Sequence, residues 1–165
     1  MKLDALDLKI LSALQREGRI TKLRLADVVA LSPSACFERV RRLEAAGYIR
    51  GYHADVDLAR IVRTSTVFVE VTLRSHEAAD FQRFEMVIAE VPEVLECYAI
   101  GGGVDYILKV IATDIEHYQK IMEGLLAGGI GIERYFTYIV TKPVKRQLEY
   151  PIHSLLAERS DPSPG

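Results

Sequence analysis

The sequence predicts an α+β protein with two domains: an N-terminal helix-turn-helix domain of winged-helix-like type and a C-terminal ferredoxin-like domain with the order βαββαβ. Three observations predict this class. Three short amphipathic patterns fit within the first 50 residues, and a compact break separates the last two. From residue 66 onward, strand patterns and helix patterns alternate. The length of 165 residues is enough for two small domains.

Apolar spacing and local end signals predict the first two helices. From Asp4 to Gly18, apolar residues recur at helical spacing, and Gly18 is a plausible end. The apolar stripe consists of Leu6, Ile10, Leu11 and Leu14, whereas Asp7, Lys9, Arg16 and Glu17 fall elsewhere. Thr21 can cap a second helix that runs to about Ala30. Its predicted buried residues are Leu25, Val28 and Val29.

The third helix follows a break at Leu31. Ser32 is a good N-cap, and Pro33 suits the first helical position, where its missing N–H costs nothing. Gly47 is the predicted residue just past the helix end. The predicted buried positions of this helix are Cys36, Val40 and Leu43. Residues 48–57 that follow are β-like.

The second half of the chain alternates strands and helices. The predicted elements are a strand over 66–73, a helix over 77–91, strands over 94–100 and 104–112, a helix over 114–127 and a strand over 132–141. Gly101, Gly102 and Gly103 join the two central strands as a hairpin. The first helix of this domain turns one apolar face inward: Phe81, Phe84, Val87, Ile88 and Val91. A last short strand is allowed over 147–150.

These elements give the expected domain boundaries. The helix-turn-helix domain spans 1–52, an ordered linker 53–65, the ferredoxin-like domain 66–152 and a flexible, Pro-rich tail 153–165. The net charge of −2 is unevenly distributed. Residues 1–60 carry 11 basic and 8 acidic side chains, a net charge of +3, so the remainder carries −5. A basic first domain suits contact with phosphate, although the difference is too small to decide by itself.

Composition excludes several classes of function. The chain is 49% hydrophobic and 27% charged, which is ordinary for a soluble globular protein. No stretch approaches about 18 uninterrupted apolar residues, so we expect no membrane partner. Cys36 and Cys97 lie far apart without zinc-ligand spacing, which predicts no metal and a reducing, cytoplasmic setting. No nucleophile–base pair or phosphate-binding loop is evident, so we expect no cofactor and no catalysis.

The order and spacing of these motifs resemble the leucine-responsive regulator/asparagine regulator (Lrp/AsnC) family over about residues 3–150. The N-terminal motifs are Leu3-Asp4…Asp7…Ile10-Leu11…Leu14-Gln15, Gly18-Arg19-Ile20, Leu25-Ala26 and Leu31-Ser32-Pro33-Ser34…Cys36…Arg39-Val40…Arg42-Leu43-Glu44…Gly47-Tyr48-Ile49…Gly51-Tyr52. The C-terminal motifs are Gly102…Asp105-Tyr106 and Thr137-Tyr138-Ile139-Val140. The resemblance implies a transcription regulator that binds double-stranded DNA and senses a small metabolite, with an amino acid as the expected effector.

A recognition helix presents small polar or basic side chains at its N-terminal turn, because this turn enters the major groove. The predicted DNA-binding residues are Ser32, Ser34, Phe37, Glu38, Arg41 and Arg42. Two alternatives stay open. Glu38 either pairs with Arg41 or Arg42 at helical spacing or accepts a hydrogen bond from a cytosine amino group. Arg42 either contacts phosphate or packs toward the core. The resemblance assigns Arg39 and Leu43-Glu44 to holding the domain together, and Cys36 is interpreted as a buried apolar residue.

The glycine-rich hairpin has two interpretations. Its backbone N–H groups can approach a carboxylate closely while Asp105 pairs with an ammonium group, which together suit an amino acid. Alternatively, it is a simple turn in which Asp105 holds its own backbone. The resemblance favours the first, because effectors of the family bind around this loop between subunits, near the strand of Thr137. The predicted effector-binding residues are Tyr98, Gly101, Gly102, Gly103, Asp105, Tyr106 and Thr137, with Tyr98 as much a core as a pocket candidate.

The resemblance also implies homodimers formed through the ferredoxin-like domains, commonly assembled further into octamers. Two rival functions remain. An effector-independent protein that compacts DNA would bind without sequence preference and without response to ligands. A sirohaem-decarboxylase-like enzyme shares the two-domain architecture, but it would bind porphyrin rather than DNA. The intact helix-turn-helix motif from Ser32 to Arg42 favours DNA.

Overall fold

The structure, a computed structural model, describes residues 2–160, with the backbone alone at Arg159 and Ser160. Its elements are α1 Ala5–Arg16, α2 Lys22–Val29, α3 Pro33–Ala45, a 3₁₀ turn Leu58–Arg60, β1 Ser65–Leu73, α4 Ala78–Ala89, β2 Val94–Ala99, β3 Tyr106–Ala112, α5 Ile115–Ala127, β4 Ile132–Ile139 and α6 Ile152–Ser160. None of these helices is both long and apolar enough to cross a membrane.

The described chain divides into two compact units. The head unit contains the residues up to Asp55 together with those from Lys145 onward, and the sheet unit is Val56–Val144. Residues 145–152, which the sequence placed with the ferredoxin-like domain, therefore group with the head unit by their contacts. The expected linker of residues 53–65 is divided between the two units after Asp55, and residues 153–160 of the expected tail also group with the head unit.

The caps of α2 and α3 are those that the sequence predicted. Thr21 caps α2 by accepting a hydrogen bond from the backbone N–H of Arg24. Ser32 caps α3 in the same way through Ala35, and Pro33 occupies the first helical position. Each cap satisfies one of the N–H groups that a helix start leaves without a partner.

The head core is built from one face of each of α1, α2 and α3. Its buried apolar residues are Ile10, Leu25, Ala26, Val29, Cys36 and Leu43. Val28 was expected among them, but its side chain is 58% exposed. The short helix α2 packs through the face of Leu25, Ala26 and Val29, which leaves Val28 on its flank.

Two predictions for the extended segments were wrong. Residues 48–57 are described throughout, and none of them lies in a strand, because no other extended segment pairs with them. After Gly47, whose φ of +74° ends α3 as predicted, Tyr52 instead donates a hydrogen bond to Glu44 Oε1 at 2.9 Å. Residues 147–150 likewise form no strand, and residues 152–160 form α6 where a flexible tail was expected. Residues 161–165 of that predicted tail lie outside the described residues.

The sheet unit confirms the βαββαβ order. Its four strands form an antiparallel sheet in the order β2-β3-β1-β4. Side chains alternate between the two faces of the sheet, so directly paired residues share a face. Val69 pairs with Leu108 of β3 and Thr137 of β4, which places these three side chains on the face covered by α4 and α5.

The covered face carries the core of this unit. Its central residues are Val67, Val69, Val71, Leu73, Phe84, Tyr106, Leu108, Val110 and Met122. The opposite face of the sheet is open and carries Phe68, Tyr98, Ile107, Phe136 and Tyr138. Phe136 and Tyr138 are each 51% exposed, which is unusual for aromatic side chains at the centre of a strand. We call this surface the open sheet face.

Candidate DNA interface and ligand loop

The N-terminal turn of α3 is exposed. Ser32 and Ser34 both lie at the surface, and their hydroxyl oxygens are 3.3 Å apart. Ser32 accepts a hydrogen bond from Ala35 N–H, so its side chain is held against the helix end. This turn therefore presents two small polar side chains and the positive end of a helix dipole.

The next turn of α3 displays Phe37, Glu38 and Arg41, as the sequence predicted. Arg41 Nη1 lies 3.4 Å from Glu38 Oε1, so the helical pairing of these two residues is present. Both side chains are well exposed, and such surface pairs are weak enough to be exchanged for another partner. Phe37 lies under the ammonium group of Lys22, whose Nζ is 4.0 Å from the ring centroid. Lys22 was not among the predicted DNA-binding residues, although it is a cation at the exposed start of α2.

Arg39 and Arg42, also on α3, bind Asp7 of α1. Arg39 Nη1 is 2.7 Å from Asp7 Oδ1 and 2.7 Å from Asp4 Oδ2. Arg42 Nη2 lies 3.1 and 3.2 Å from the two oxygens of Asp7. These contacts fit the packing interpretation of Arg42, but its side chain is 51% exposed, so contact with phosphate stays a prediction as well.

Asp7 is completely buried, which its place outside the apolar stripe did not suggest. Asp4 caps α1 by accepting a hydrogen bond from Asp7 N–H, and Asp7 accepts one from Asp4 N–H in return. The Asp7 N–H and then Arg39 hold the pKa of the Asp4 carboxyl below its ordinary range, and the two carboxylates raise the pKa of Arg39. This cluster fixes α3 against α1.

Cys36 is a packing residue of the head core, and its thiol is not accessible. Its side chain is buried in the head core, and this burial raises the pKa of the thiol. The thiolate is the reactive form of cysteine, so a raised pKa disfavours oxidation or metal binding. The interpretation of Cys36 as a buried apolar residue agrees with this environment.

In the sheet unit, the glycine-rich hairpin is exposed and its glycines approach no other atoms. Gly102 has a φ of +146°, and a side chain at any of the three glycines would meet open space. The turn is closed by two backbone hydrogen bonds, from Ile100 N–H to Asp105 O and from Asp105 N–H to Val71 O, each of 3.0 Å. The three N–H groups of the glycines are thus left near the surface at a fixed turn.

The carboxylate of Asp105 already has partners within the chain. Its Oδ2 accepts a hydrogen bond from Leu73 N–H at 2.8 Å, and its Oδ1 lies 3.1 Å from His76 Nε2. His76 itself is largely exposed and stacks on Phe81 at a centroid distance of 5.9 Å. Both interpretations of Asp105 remain compatible with this geometry, because an exposed histidine can be displaced. His76 was not among the predicted effector-binding residues, and no local sequence pattern marks it.

The other predicted effector residues do not converge on one cleft within a single chain. Tyr106 is buried, and its hydroxyl donates a hydrogen bond to Glu85 at 2.8 Å; burial first, and Glu85 next, raise the pKa of Tyr106. Thr137 Oγ1 lies 2.6 Å from the hydroxyl of Tyr118, on the covered face of the sheet. Tyr98 lies on the open sheet face and donates a hydrogen bond to Glu96.

Family models match both units. The winged helix-turn-helix DNA-binding model matches residues 3–50, and the Lrp/AsnC ligand binding domain model matches residues 66–150. An exposed recognition helix joined to a ligand-binding α+β domain defines the class as a DNA-binding transcription regulator with a ligand-binding domain. The chain belongs to the Lrp/AsnC family of such regulators.

Named relatives and solved structures agree with this assignment. The chain is 54% identical to transcriptional regulatory protein DoeX of Halomonas elongata over 146 residues, covering 88% of this chain and 92% of that protein. It is 38% identical to the leucine-responsive regulatory protein of Escherichia coli, covering 87% and 88%. A transcriptional regulator of Neisseria meningitidis in complex with L-Met is 32% identical with a TM-score of 0.86, covering 93% and 99%. An AsnC family regulator of Agrobacterium tumefaciens is 33% identical with a TM-score of 0.87 and the same coverage.

Proposed function

We propose that the chain binds operator DNA as a homodimer through the exposed tip of α3, and that an amino acid bound at the glycine-rich hairpin changes this affinity. One observation carries the proposal for DNA. Arg39 and Arg42 bind the buried Asp7 and so hold α3 against α1, and Arg41 and the two serines at the start of α3 are exposed. The recognition helix α3 is therefore held in place by its contacts with α1, and its N-terminal turn is accessible to the major groove of DNA.

Some residues at the start of α3 suit contacts with the DNA backbone, and others suit contacts with base edges. Ser32, Ser34 and the helix start suit phosphate oxygens, and Lys22 adds a cation beside Phe37. Arg41 can leave Glu38 for a guanine edge, and Glu38 is then free to accept from a cytosine amino group. A single head offers few charges, so useful affinity requires two heads on a pseudo-palindromic site.

The open sheet face supplies the dimer contact. Phe68, Phe136 and Tyr138 form an aromatic surface on β1 and β4, and Ile107 continues it on β3. A second copy of this chain covers such a surface with an identical one, which is the isologous contact of a two-fold dimer. Further association of dimers into an octamer is part of the proposal, since family members commonly assemble so.

The effector proposal rests on charge complementarity at the hairpin. Three consecutive glycines expose N–H groups to a carboxylate, and Asp105 offers the counter-charge for an ammonium group once His76 is displaced. The likeness to a regulator solved with L-Met supports an amino acid as the class of ligand. Ligand binding between subunits would favour one arrangement of the heads and change DNA affinity by the difference in binding energy.

We also propose that the chain acts in the cytoplasm and has no catalytic activity of its own. Its named relatives are transcription regulators. The residues of the candidate sites are engaged in hydrogen bonds that position helices or close a hairpin, rather than in a nucleophile–base pair.

Fluorescence anisotropy on DNA from upstream of the chain's own gene tests this function. Binding is compared with scrambled DNA at two salt concentrations, with each common amino acid added in turn. We expect a preference for the upstream DNA that one amino acid shifts. Preference without any shift would redirect the effector search to other metabolites, and equal binding to all DNA would be followed by genome-wide site selection. Absence of DNA binding under every condition would refute the proposal.

A further inference from the structure

We propose that residues 149–153 form a C-terminal clasp that docks on the outer face of α1 and makes cooperative DNA binding depend on this second attachment of the head unit. The clasp itself is independent of the proposed effector. Its functional consequence rests on the proposed binding of two heads to one DNA site. The clasp and α1 both belong to the head unit.

The side-chain amide of Gln15 forms hydrogen bonds with both the backbone N–H and the backbone carbonyl of Tyr150. Tyr150 N–H donates to Gln15 Oε1 at 2.9 Å, and Gln15 Nε2 donates to Tyr150 O at 3.5 Å. The neighbouring residue of each segment adds an ion pair, since Arg16 Nε lies 2.8 Å from Glu149 Oε1. A side-chain amide that satisfies both backbone groups of one residue fixes the position of that residue along the helix.

A third polar contact and an apolar one extend the same surface. Ser12 Oγ lies 3.4 Å from His153 Nε2. Ser12 is three and four positions before the two α1 residues that bind the clasp, so all three share one helix face. Beside them, Leu11 and Leu14 line a groove together with Tyr150 and Ile152, the first residue of α6. The surface on α1 is therefore matched to the clasp in hydrogen bonds, charge and apolar contact.

The docking of the clasp matters because the chain both leaves and re-enters the head unit. The head unit is made of two stretches, so the chain leaves it after Asp55 and returns to it at Lys145. Arg146 Nη2 lies 3.0 Å from Asp55 Oδ1, which joins the two stretches where they enter the unit. Only residues 140–148 separate the end of β4 at Ile139 from the clasp.

A docked clasp thus attaches the head through a short second connection that starts at the strand of Thr137. Two attachments restrict the positions that a head can take, whereas one attachment allows many. In a dimer, this restriction raises the effective concentration of the second head at its half-site once the first is bound. Release of the clasp should weaken binding to paired half-sites and leave binding to an isolated half-site unchanged.

Charge reversal tests the clasp in the full-length protein. The variants are Arg16→Glu, Glu149→Arg and the double exchange, which restores the pair with opposite polarity. Lys120→Glu breaks an equally short ion pair on α5 and serves as the matched control. The first measurement is hydrogen exchange of the backbone amides of residues 150–158. Because exposed ion pairs have modest strength, each single reversal should speed exchange about two- to fivefold, and the double exchange should return it toward the wild-type rate.

Unchanged exchange in both single variants, or no recovery in the double exchange, would overturn the docking. Gln15→Ala, which removes both hydrogen bonds to Tyr150, gives a second measure that does not alter charge. The second measurement is affinity for DNA with paired half-sites and with one half-site. Gln15→Ala, which keeps the charge of the head unit, should weaken only the paired binding, and the double exchange, whose net charge equals that of the wild type, should bind both DNAs as the wild type does. Equal affinities in all variants would refute the role of the clasp, while failure of the wild type to bind DNA would refute the proposed function and leave the exchange result standing.

Discussion

Arg39 of α3 reaches to the start of α1, where its Nη1 lies 2.7 Å from Oδ1 of the completely buried Asp7. The same nitrogen binds Asp4, and Arg42 adds two further contacts to Asp7. A buried carboxylate needs such partners, because burial without them costs several kcal/mol. The cluster therefore sets the orientation of the recognition helix as well as the stability of the head unit.

Asp7→Asn is expected to destabilise the head unit by about 1.5–3 kcal/mol, the range for hydrogen bonds to charged groups. The amide keeps the shape of the side chain but removes the charge that Arg39 and Arg42 bind. Urea denaturation measures the loss in the free energy of unfolding, and hydrogen exchange of the amides in α1 and α3 locates it in the head unit. Asp27→Asn, at an exposed position of α2, is the control and should change stability by no more than about 0.5 kcal/mol. A loss no larger than that of the control would show that the cluster is dispensable.

The Asp4 carboxylate makes part of this stability dependent on pH. The Asp7 N–H and Arg39 hold its pKa below the ordinary value of 3.8. A lowered pKa in the folded state means that stabilisation is complete above 3.8 and is lost as the pH falls through the folded value. Asp4→Asn, which can still cap the helix, should be less stable than wild type at pH 7, and the difference should vanish at acid pH.

Thermal unfolding of both proteins in steps from pH 7 downward checks this. Carboxylates outside the cluster are the same in the two proteins, so their contributions cancel and the difference reports on Asp4 and its cluster. Asp114→Asn provides a contrast in the sheet unit, because the His117 N–H chiefly lowers the pKa of Asp114 where it caps α5. Its pH-dependent loss should appear in hydrogen exchange of α5 and not of α1. A stability difference for Asp4→Asn that is constant with pH would contradict the assignment.

Local signals made the course of the chain predictable. Ser32 and Pro33 specify where α3 begins, since a cap and a proline act within one turn. Apolar, β-rich runs over 66–73 and 104–112 predicted the strands β1 and β3. These elements therefore appeared where the pattern put them, with ends displaced by one or two residues.

Features that depend on distant partners were not predictable. Asp7 lies outside the apolar stripe of α1, and its burial depends on arginines 32 and 35 residues further along the chain. His76 meets Asp105 from 29 residues away, with no periodic pattern to mark it. The helix α6 was missed because a short segment next to a Pro-rich end has a weak pattern of its own. Its contacts with α1 supply the stabilisation that a short isolated helix lacks.

Arg41→Ala should weaken specific DNA binding by about 1–3 kcal/mol, or about five- to 150-fold, if its guanidinium contacts a base edge. Its present partner Glu38 is exposed, so the folded protein should be little affected. Anisotropy on specific and scrambled DNA measures the change, with Lys120→Ala on α5 as a charge-matched control. Equal losses on both DNA sequences would assign Arg41 to phosphate, and no loss would remove it from the interface.

Phe136→Glu should weaken the dimer by about tenfold or more, because it removes an aromatic contact of the open sheet face and places a second carboxylate beside its strand partner Glu70. Sedimentation velocity across a range of protein concentrations measures the dissociation constant. Val144→Glu changes an apolar residue that is 91% exposed outside the sheet, so it should leave the dimer intact. A dimer that tolerates the change at Phe136 would show that the copies associate through another surface.

At Asp105, one variant can remove the proposed role in effector binding while the hydrogen bond that supports the hairpin is kept. Its Oδ2 accepts the Leu73 N–H at 2.8 Å, a role that the amide oxygen of asparagine can keep. The charge that would attract an ammonium group, and that His76 now faces, is lost in asparagine. Asp105→Asn should therefore retain stability and lose effector affinity, by about ten- to 150-fold for a charged hydrogen bond.

Asp105→Ala is the companion variant, because it also removes the acceptor for Leu73 N–H and should destabilise the sheet unit by about 1–3 kcal/mol. Titration calorimetry with the amino acid that shifts DNA binding gives the affinities, and urea denaturation gives the stabilities. If Asp105→Asn binds the effector as tightly as wild type, Asp105 holds only its own hairpin, and the ammonium site lies elsewhere. If both variants lose stability equally, the charge rather than the acceptor holds the turn, and the pair with His76 is structural.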